Sequence, residues 1–361
     1  MRIIIVILYF QQLIMFKSFF VNTHFLGSAA ILAIAVGFAG CGSNQQTTNP
    51  SSNTPSAASP SSAGGEKPKV VATSSVLCDI TQEIAQDTVD LTCLIPAGID
   101  PHVYEPKPDD RKAIEQAKLI LYAGYNFEPS LIKLLQASKN SAPKVAVNEI
   151  AVSQPLAGEE HEHEGEEKAQ TDHEPGEADP HVWNSAQNGI HIVETVRDNL
   201  KKLSPNNAAQ YTSNAQKMTS QLTQLDSWIK SQISTIPANQ RKLVTTHDAL
   251  GYYSKAYGIP LEGALQGIST EEKPTAKRVK ELVGVIKSAN VPTIFAETTV
   301  NPKLIEAVAK EAKVKVSDRE LFADGLGEKG TPGDTYQKML IANTQTIVEG
   351  LGGKYTPFQA K

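Results

Sequence analysis

The 361-residue sequence has no surplus of basic residues, no hydrophobic run that would span a bilayer comfortably, and no short-period repeat. Its formal net charge of −5 at pH 7 argues against nucleic-acid binding, because no basic excess is available to neutralise phosphates. The apolar stretch 25–39 is shorter than the roughly 20 residues that a membrane-spanning helix needs. Hydrophobic residues nevertheless make up 40% of the chain, which can therefore build packed cores and is not wholly disordered.

A secretory signal is predicted at the start of the chain. Residues 25–39 are apolar or small, follow Lys17, and end next to Gly40-Cys41. Small residues directly before a cysteine resemble a bacterial lipobox, in which the cysteine is lipidated and becomes the new N-terminus. We therefore predict that 1–40 is a lipoprotein-type signal peptide and that Cys41 carries the lipid. An uncleaved membrane-anchor helix is the alternative.

A flexible tether is predicted after the signal, at 41–67. Serine, threonine, proline, asparagine and glycine dominate this stretch, and it has no apolar periodicity. Such a composition cannot bury enough surface to offset the entropy lost on ordering. The lipid anchor would then be the only contact with the membrane, which places the protein in the periplasm or on the outer face of the plasma membrane.

Cysteine usage is compatible with export. The chain has three cysteines, and two of them, Cys78 and Cys93, remain once Cys41 is assigned to lipid. A pair of cysteines in an oxidising compartment can form a disulfide. Two buried free thiols are the alternative, because cysteine also packs well in cores.

Strand and helix patterns alternate along the rest of the chain, which implies an α/β fold with parallel sheets covered by helices. We place one Rossmann-like lobe at 68–203, with an acidic loop at 158–178, and a second lobe at 236–361. A long amphipathic helix at 204–235 is predicted to join the two lobes. A binding cleft is expected between them.

Four side chains that could bind a metal ion are predicted in loops that border this cleft. His102 lies in a proline- and glycine-punctuated loop past a strand, and His181 follows a second Asp-Pro pair. His247 ends a strand, and Asp324 precedes a glycine-rich turn. Ligands of open α/β sheets bind outside the carboxyl ends of the strands. Three imidazoles and one carboxylate fit Zn²⁺, with Mn²⁺ as the alternative, although each residue taken singly could also be an ordinary surface or turn residue.

Four longer motifs carry a resemblance to a known family: GIDPHVYEPKPDDR, DPHVWNS, TTHDALGYYSKAYG and ADGLGEKGTPGDTY. They resemble the zinc/manganese solute-binding lipoproteins of ABC importers, the cluster A-I family of ZnuA- and TroA-like proteins. The resemblance covers the whole chain after the tether. It implies that His102, His181 and His247 are metal ligands. Asp324 is implied as the fourth, a position that some zinc members leave to water.

The acidic loop at 158–178 also fits this family, whose zinc members often carry an acidic, histidine-rich loop before the second ligand. Residues 159–179 hold ten acidic residues and one lysine, together with His161, His163 and His173. Such a charge attracts divalent cations, and the imidazoles offer weak sites. We interpret the loop as an accessory metal collector, with a solvated acidic insertion as the alternative.

The resulting expectation is a monomeric binding protein that captures Zn²⁺ and delivers it to an ABC permease, rather than an enzyme. A zinc hydrolase is disfavoured because the chain has no His-Glu-x-x-His motif and four protein ligands would close the site. A surface adhesin or metal store remains the other alternative. Tyr104 and Glu105 are candidates for holding His102, Glu297 for holding a ligand or capping a helix, and His191 for a surface position.

Overall fold

The computed structural model describes residues 66–158, 178–271 and 273–360. The predicted signal peptide, Cys41, nearly all of the tether, and His161, His163 and His173 lie outside this part of the chain. None of the helices within the described ranges combines the length and hydropathy that crossing a membrane requires.

The N-terminal half contains a four-stranded parallel sheet in the order β2-β1-β3-β4. Its strands are β1 (Lys69–Ala72), β2 (Asp90–Cys93), β3 (Leu119–Tyr122) and β4 (Lys144–Ala146). Its helices are α1 (Ser75–Ala85), α2 (Pro108–Gln116), α3 (Pro129–Ala137), α4 (Val147–Ala151) and α5 (Ala186–Leu203). The Ser74 side chain caps α1, and prolines open α2 and α3, where a missing N–H costs nothing.

The segment 144–150, which the sequence pattern predicts as one strand, is divided in the structure. The strand ends at Ala146 and α4 follows at once. The backbone N–H of Asn148 donates to Ala123 O, and Glu149 accepts from the Tyr125 N–H. Both residues are therefore hydrogen-bonded to the loop after β3. These bonds turn the chain out of the sheet.

The C-terminal half repeats the same arrangement with two parallel strand pairs, β5-β6 and β7-β8. Its strands are β5 (Leu243–His247), β6 (Leu261–Gln266), β7 (Thr293–Ile294) and β8 (Lys315–Val316). Its helices are α7 (Gly251–Tyr257), α8 (Ala276–Ala289), α9 (Lys303–Ala312) and α10 (Tyr336–Gly350). A backbone hydrogen bond from Phe295 N to Val244 O (3.0 Å) sets the two pairs side by side, in the order β6-β5-β7-β8.

The helix α6 (Ala208–Ser234) lies between the two halves and follows a short 3₁₀ turn at Pro205–Asn207. One face of α6 is buried at helical spacing, and the helix packs against α1 and α5 of the N-terminal half and α7 and α10 of the C-terminal half. Its buried apolar side chains are Tyr211, Ala215, Met218, Leu222, Leu225, Ile229 and Ile233. Full burial of a leucine, isoleucine or methionine side chain contributes about 1.5–3 kcal/mol. The buried face of α6 belongs to one continuous core that includes side chains of both halves.

The predicted α/β fold with parallel sheets and a long joining helix is confirmed. A disulfide links Cys78 on α1 to Cys93 at the end of β2, with a Cα–Cα distance of 5.7 Å. This bond lies at the start of the loop that leads from β2 to His102. Of the two alternatives for this cysteine pair, the structure contains the disulfide.

Candidate metal centre

The side chains of His102, His181, His247 and Asp324 meet in one buried cluster. One ligand atom from each residue lies within 4.8 Å of the corresponding atom of every other. His181 and His247 are fully buried, Asp324 is 1% exposed and His102 is 4% exposed. Two of these residues come from each half of the chain, so the cluster depends on how the halves pack together.

His102 is presented by the loop that follows β2. The Asp100 side chain accepts the His102 backbone N–H at 2.9 Å, which holds the loop in a tight Asx turn. The imidazole ring packs edge-on against Phe127, with ring centroids 5.1 Å apart. Phe127 also contacts the ring of His181, so one aromatic side chain supports both N-terminal histidines.

His181 begins the 3₁₀ turn Val182–Asn184, and Asp179 holds it twice. One oxygen of Asp179 accepts the His181 backbone N–H at 2.9 Å and lies 2.8 Å from ring Nδ1. When Nδ1–H donates to the carboxylate, Nε2 presents its lone pair to the cluster. Asp179 therefore both stabilises the turn before His181 and orients the His181 ring.

His247 and Asp324 come from the C-terminal half. Glu297 contacts Nδ1 of His247 with one oxygen and accepts the His247 backbone N–H at 3.0 Å with the other. Thr299 donates its hydroxyl to Asp324 Oδ2 at 3.0 Å, which leaves Oδ1 directed at the histidines. In each residue a neighbour thus holds one side-chain atom. The other side-chain atom, Nε2 of His247 or Oδ1 of Asp324, faces the cluster and could bind a metal ion.

The spacing of the donor atoms matches a small cation. Asp324 Oδ1 lies 3.0 Å from His247 Nε2, 3.3 Å from His181 Nε2 and 3.7 Å from His102 Nε2, and the last two nitrogens are 3.2 Å apart. A tetrahedron with zinc–ligand bonds of about 2.0–2.1 Å has edges of roughly 3.3 Å. Four of the six distances between donor atoms are near this edge length, and all six are at most 4.8 Å, so the four residues could share one Zn²⁺ after a modest adjustment.

The electrostatics of the cluster favour a positive charge at its centre. Burial alone would lower the pKa of His247, but the carboxylates of Asp324 and Glu297 outweigh it and hold that pKa well above the ordinary value. Burial likewise lowers the pKa of His181, yet hydrogen bonds to Asp179 and Asp324 raise it to about 9. Burial would raise the pKa of Asp324, but the charge of His247 and hydrogen bonds from the three histidines hold it well below its usual range. Since a metal ion competes with protons for histidine nitrogens, the surroundings that favour protonated histidines here would also favour a bound divalent cation.

The supporting residues were only partly anticipated from the sequence. Glu297 holds His247, one of its two predicted roles. The sequence pattern includes Asp179 only within the Asp-Pro-His motif, and it does not point to Thr299. Tyr104 does not hold His102: its hydroxyl donates to Leu94 O and Asp110, because that side chain packs inward beneath the loop.

Two further candidates lie away from the cluster. Glu105 is exposed. The His191 side chain is 57% exposed on α5 and pairs with Glu194.

Comparison with known proteins identifies relatives of this arrangement. The family described as "Zinc-uptake complex component A periplasmic" matches residues 70–350. A manganese ABC transporter substrate-binding lipoprotein, PsaA of Streptococcus mitis, is 35% identical over 80% of this chain and 91% of its own length. SsaB of Streptococcus sanguinis, named a metal ABC transporter substrate-binding lipoprotein, is 35% identical over 90% of this chain and 98% of its own.

Solved structures lead to the same family. The periplasmic zinc-binding protein TroA from Treponema pallidum superposes with a TM-score of 0.71 at 34% identity, covering 79% of this chain and 99% of TroA. This neighbour is named for zinc and the Streptococcus mitis relative for manganese, so both metals occur among proteins similar to this one. The resemblance inferred from the four sequence motifs is thus confirmed, and the chain belongs to the zinc-uptake complex component A family, the substrate-binding proteins of metal ABC transporters.

Proposed function

We propose that this protein captures Zn²⁺ through His102, His181, His247 and Asp324 and delivers it to the permease of an ABC importer. The convergence of three imidazoles and one carboxylate in a buried cluster carries the proposal, since four of the six distances between their donor atoms are near the edge length of a zinc tetrahedron. The membership of the chain in a metal-uptake family supports it.

Zinc is favoured over manganese by the donor set. Three of the four ligand atoms are nitrogens, whereas Mn²⁺ prefers more oxygen ligands. Asp324 offers a single oxygen to the ion because Thr299 occupies the other. Manganese is the alternative cargo, and the manganese-transporter name of the Streptococcus mitis relative is the reason to test it directly.

The site suits binding rather than catalysis. A catalytic zinc keeps an open position for water and uses a nearby general base. Here all four ligands are at most 4% exposed, and the buried carboxylates of Asp179 and Glu297 are engaged by His181 and His247. A surface adhesin or metal store is the alternative to a transport role. Zinc uptake by cells that lack only this protein distinguishes the two roles. Loss of uptake would indicate transport, and unchanged uptake would indicate an adhesin or metal store.

The proposed segments and lobes of the whole chain complete the proposal. The signal at 1–40, lipid on Cys41 and the tether at 41–67 would keep a monomeric protein close to a membrane permease on the outer side. The lobes at 68–203 and 236–361, with 204–235 between them, would carry the cleft. Within the loop at 158–178, His161, His163 and His173 would collect zinc for the buried site.

Metal titration of the purified protein tests the assignment of ligands. We expect the wild type to bind one tightly held Zn²⁺ in competition with a chromogenic chelator. His181→Ala should lower the affinity by at least about 100-fold, because ligand loss costs more than loss of a supporting residue. His191→Ala is the matched control, since that histidine lies exposed on α5. Equal affinities of the two variants would reject the site.

A further inference from the structure

Little of the four-residue cluster is exposed in the part of the chain that the structure describes. His102, the most exposed of the four ligands, is only 4% accessible. An ion that enters or leaves the cluster would therefore have to displace neighbouring groups. These groups include the loop that carries His102 and, in the opposite half, the segment that leaves β6 beside His247.

Asp100 connects the His102 loop to the segment that leaves β6. One of its carboxylate oxygens accepts the backbone N–H of His102 at 2.9 Å. The other accepts the hydroxyl of Thr270 at 2.6 Å, from a residue 170 positions further along the chain. A single half-buried carboxylate thus holds a candidate ligand and a segment of the other half at once.

Thr270 belongs to residues 267–271, which we name the β6 exit segment. This segment starts beside another ligand, because Gln266 is the register partner of His247 and Gly267 O accepts the Asp248 N–H at 3.1 Å. The Gln266 side chain also donates to Thr270 O at 3.2 Å. The segment therefore runs from the His247 side of the cluster to the His102 loop.

Hydrogen bonds from backbone N–H groups also join the two halves near the cluster. Gly98, in the His102 loop, donates its backbone N–H to Leu326 O at 3.0 Å, and Leu326 N donates to the Ser75 hydroxyl at 3.0 Å. Moving the His102 loop would break such backbone bonds. Rotating one threonine hydroxyl away from Asp100 breaks the side-chain bond between the His102 loop and the β6 exit segment and leaves these backbone bonds intact.

We propose that the hydrogen bond from Thr270 to Asp100 is a clasp that sets the rate at which the bound ion leaves. The inference rests on the proposed function, since it presumes that the cluster holds a metal ion. Thr270 and Asp100 act as positioning residues and do not touch the ion. A hydrogen bond to a charged group is among the stronger ones, and its loss should raise the population of the open form.

The test is the rate of Zn²⁺ release from the purified, zinc-loaded protein into excess chromogenic chelator, followed by stopped-flow absorbance. Thr270→Val keeps the branched shape and removes the hydroxyl, and it should release zinc about tenfold faster than the wild type. Thr270→Ser restores the hydroxyl and should stay within about twofold of the wild type. Ser269→Ala is the matched control, because that hydroxyl accepts a local bond from Glu271 N within the same segment.

A second readout separates a clasp from a general disturbance of the site. The visible spectrum of the Co²⁺-loaded protein reports the ligand set, and Thr270→Val should leave it unchanged. An altered spectrum overturns the clasp, and so does a release rate of Thr270→Val within twofold of the wild type. Equal acceleration in Thr270→Ser or in Ser269→Ala overturns it as well. A wild type that retains no zinc overturns the proposed function together with the clasp, whereas a zinc-retaining wild type that Thr270→Val matches overturns the clasp alone.

Discussion

Glu297 contacts His247 through both of its carboxylate oxygens, although 50 residues separate the two in sequence. One oxygen accepts the backbone N–H of His247, and the other contacts ring Nδ1. His247 Nε2 then lies 3.0 Å from Asp324 Oδ1, inside the cluster. The contact with Glu297 orients the ring and selects the tautomer that can bind a metal ion.

Replacement of Glu297 by glutamine tests this orienting role. The amide keeps an oxygen for the backbone N–H groups but cannot accept a proton from Nδ1 with its nitrogen. We expect Glu297→Gln to lower zinc affinity by about 10–100-fold in a chelator-competition titration. Glu194→Gln is the control, because Glu194 pairs with the exposed His191 in a similar way. Equal effects of the two substitutions would contradict the orienting role.

The nature of the ligand at position 247 should govern metal preference. Exchanging this imidazole for a carboxylate changes the donor set from three nitrogens and one oxygen to two of each, which suits Mn²⁺ better. We expect His247→Glu to shift the ratio of zinc to manganese affinity by at least about tenfold toward manganese. The substitution is made together with Glu297→Gln, so that two buried carboxylates do not face each other. An unchanged affinity ratio, measured by competition between the two metals, would show that the donor set does not set the preference.

Gly189 on α5 supports the turn that presents His181. A methyl group there would overlap the Tyr336 hydroxyl, which donates to Trp183 O at 2.7 Å within that turn. We expect Gly189→Ala to destabilise the protein by about 1–3 kcal/mol, as overpacking of a core does. Gly284 on α8 faces open space, so Gly284→Ala should be neutral or stabilising by up to about 1 kcal/mol. Chemical denaturation measures the free energy of unfolding of both variants. A Gly189→Ala protein as stable as the wild type would contradict the contact with Tyr336.

Asp79 should make the stability of the protein depend on pH. Burial raises the pKa of Asp79 to about 6, although its hydrogen bond from the Tyr336 N–H opposes the shift. The folded state therefore binds this proton more tightly than the unfolded state between about pH 4 and 6, so stability falls as pH rises through that range. The effect is about 1–2 kcal/mol once partial exposure is allowed for.

Asp79→Asn isolates this contribution, because the amide oxygen can still accept the Tyr336 N–H. The free energy of unfolding of the variant, minus that of the wild type, should increase between pH 4 and pH 6.5 in the metal-free protein. A difference that stays constant over this range would rule out a raised pKa for Asp79.

Local patterns were sufficient for most elements and for the four cluster residues. The helical spacing of α6 and the proline and serine signals at helix starts act within a few residues, so they can be read directly from the chain. The strand β6 was not predicted, because its sequence LEGALQ has a glutamate and a glycine in place of a continuous apolar run. It is a strand because β5 lies beside it and pairs with its backbone.

The candidate metal-binding residues can be recognised from the chain, since the Asp-Pro-His turns and the strand-end histidine are local features. Which of these candidates meet, and which residues hold them, depends on the packing of distant segments. Glu297 reaches His247 across 50 residues, and Thr270 reaches Asp100 across 170, because the packing of both halves against α6 brings those loops together. Hydrophobic periodicity specifies which face of an element is buried, but it does not name the partner on the other side.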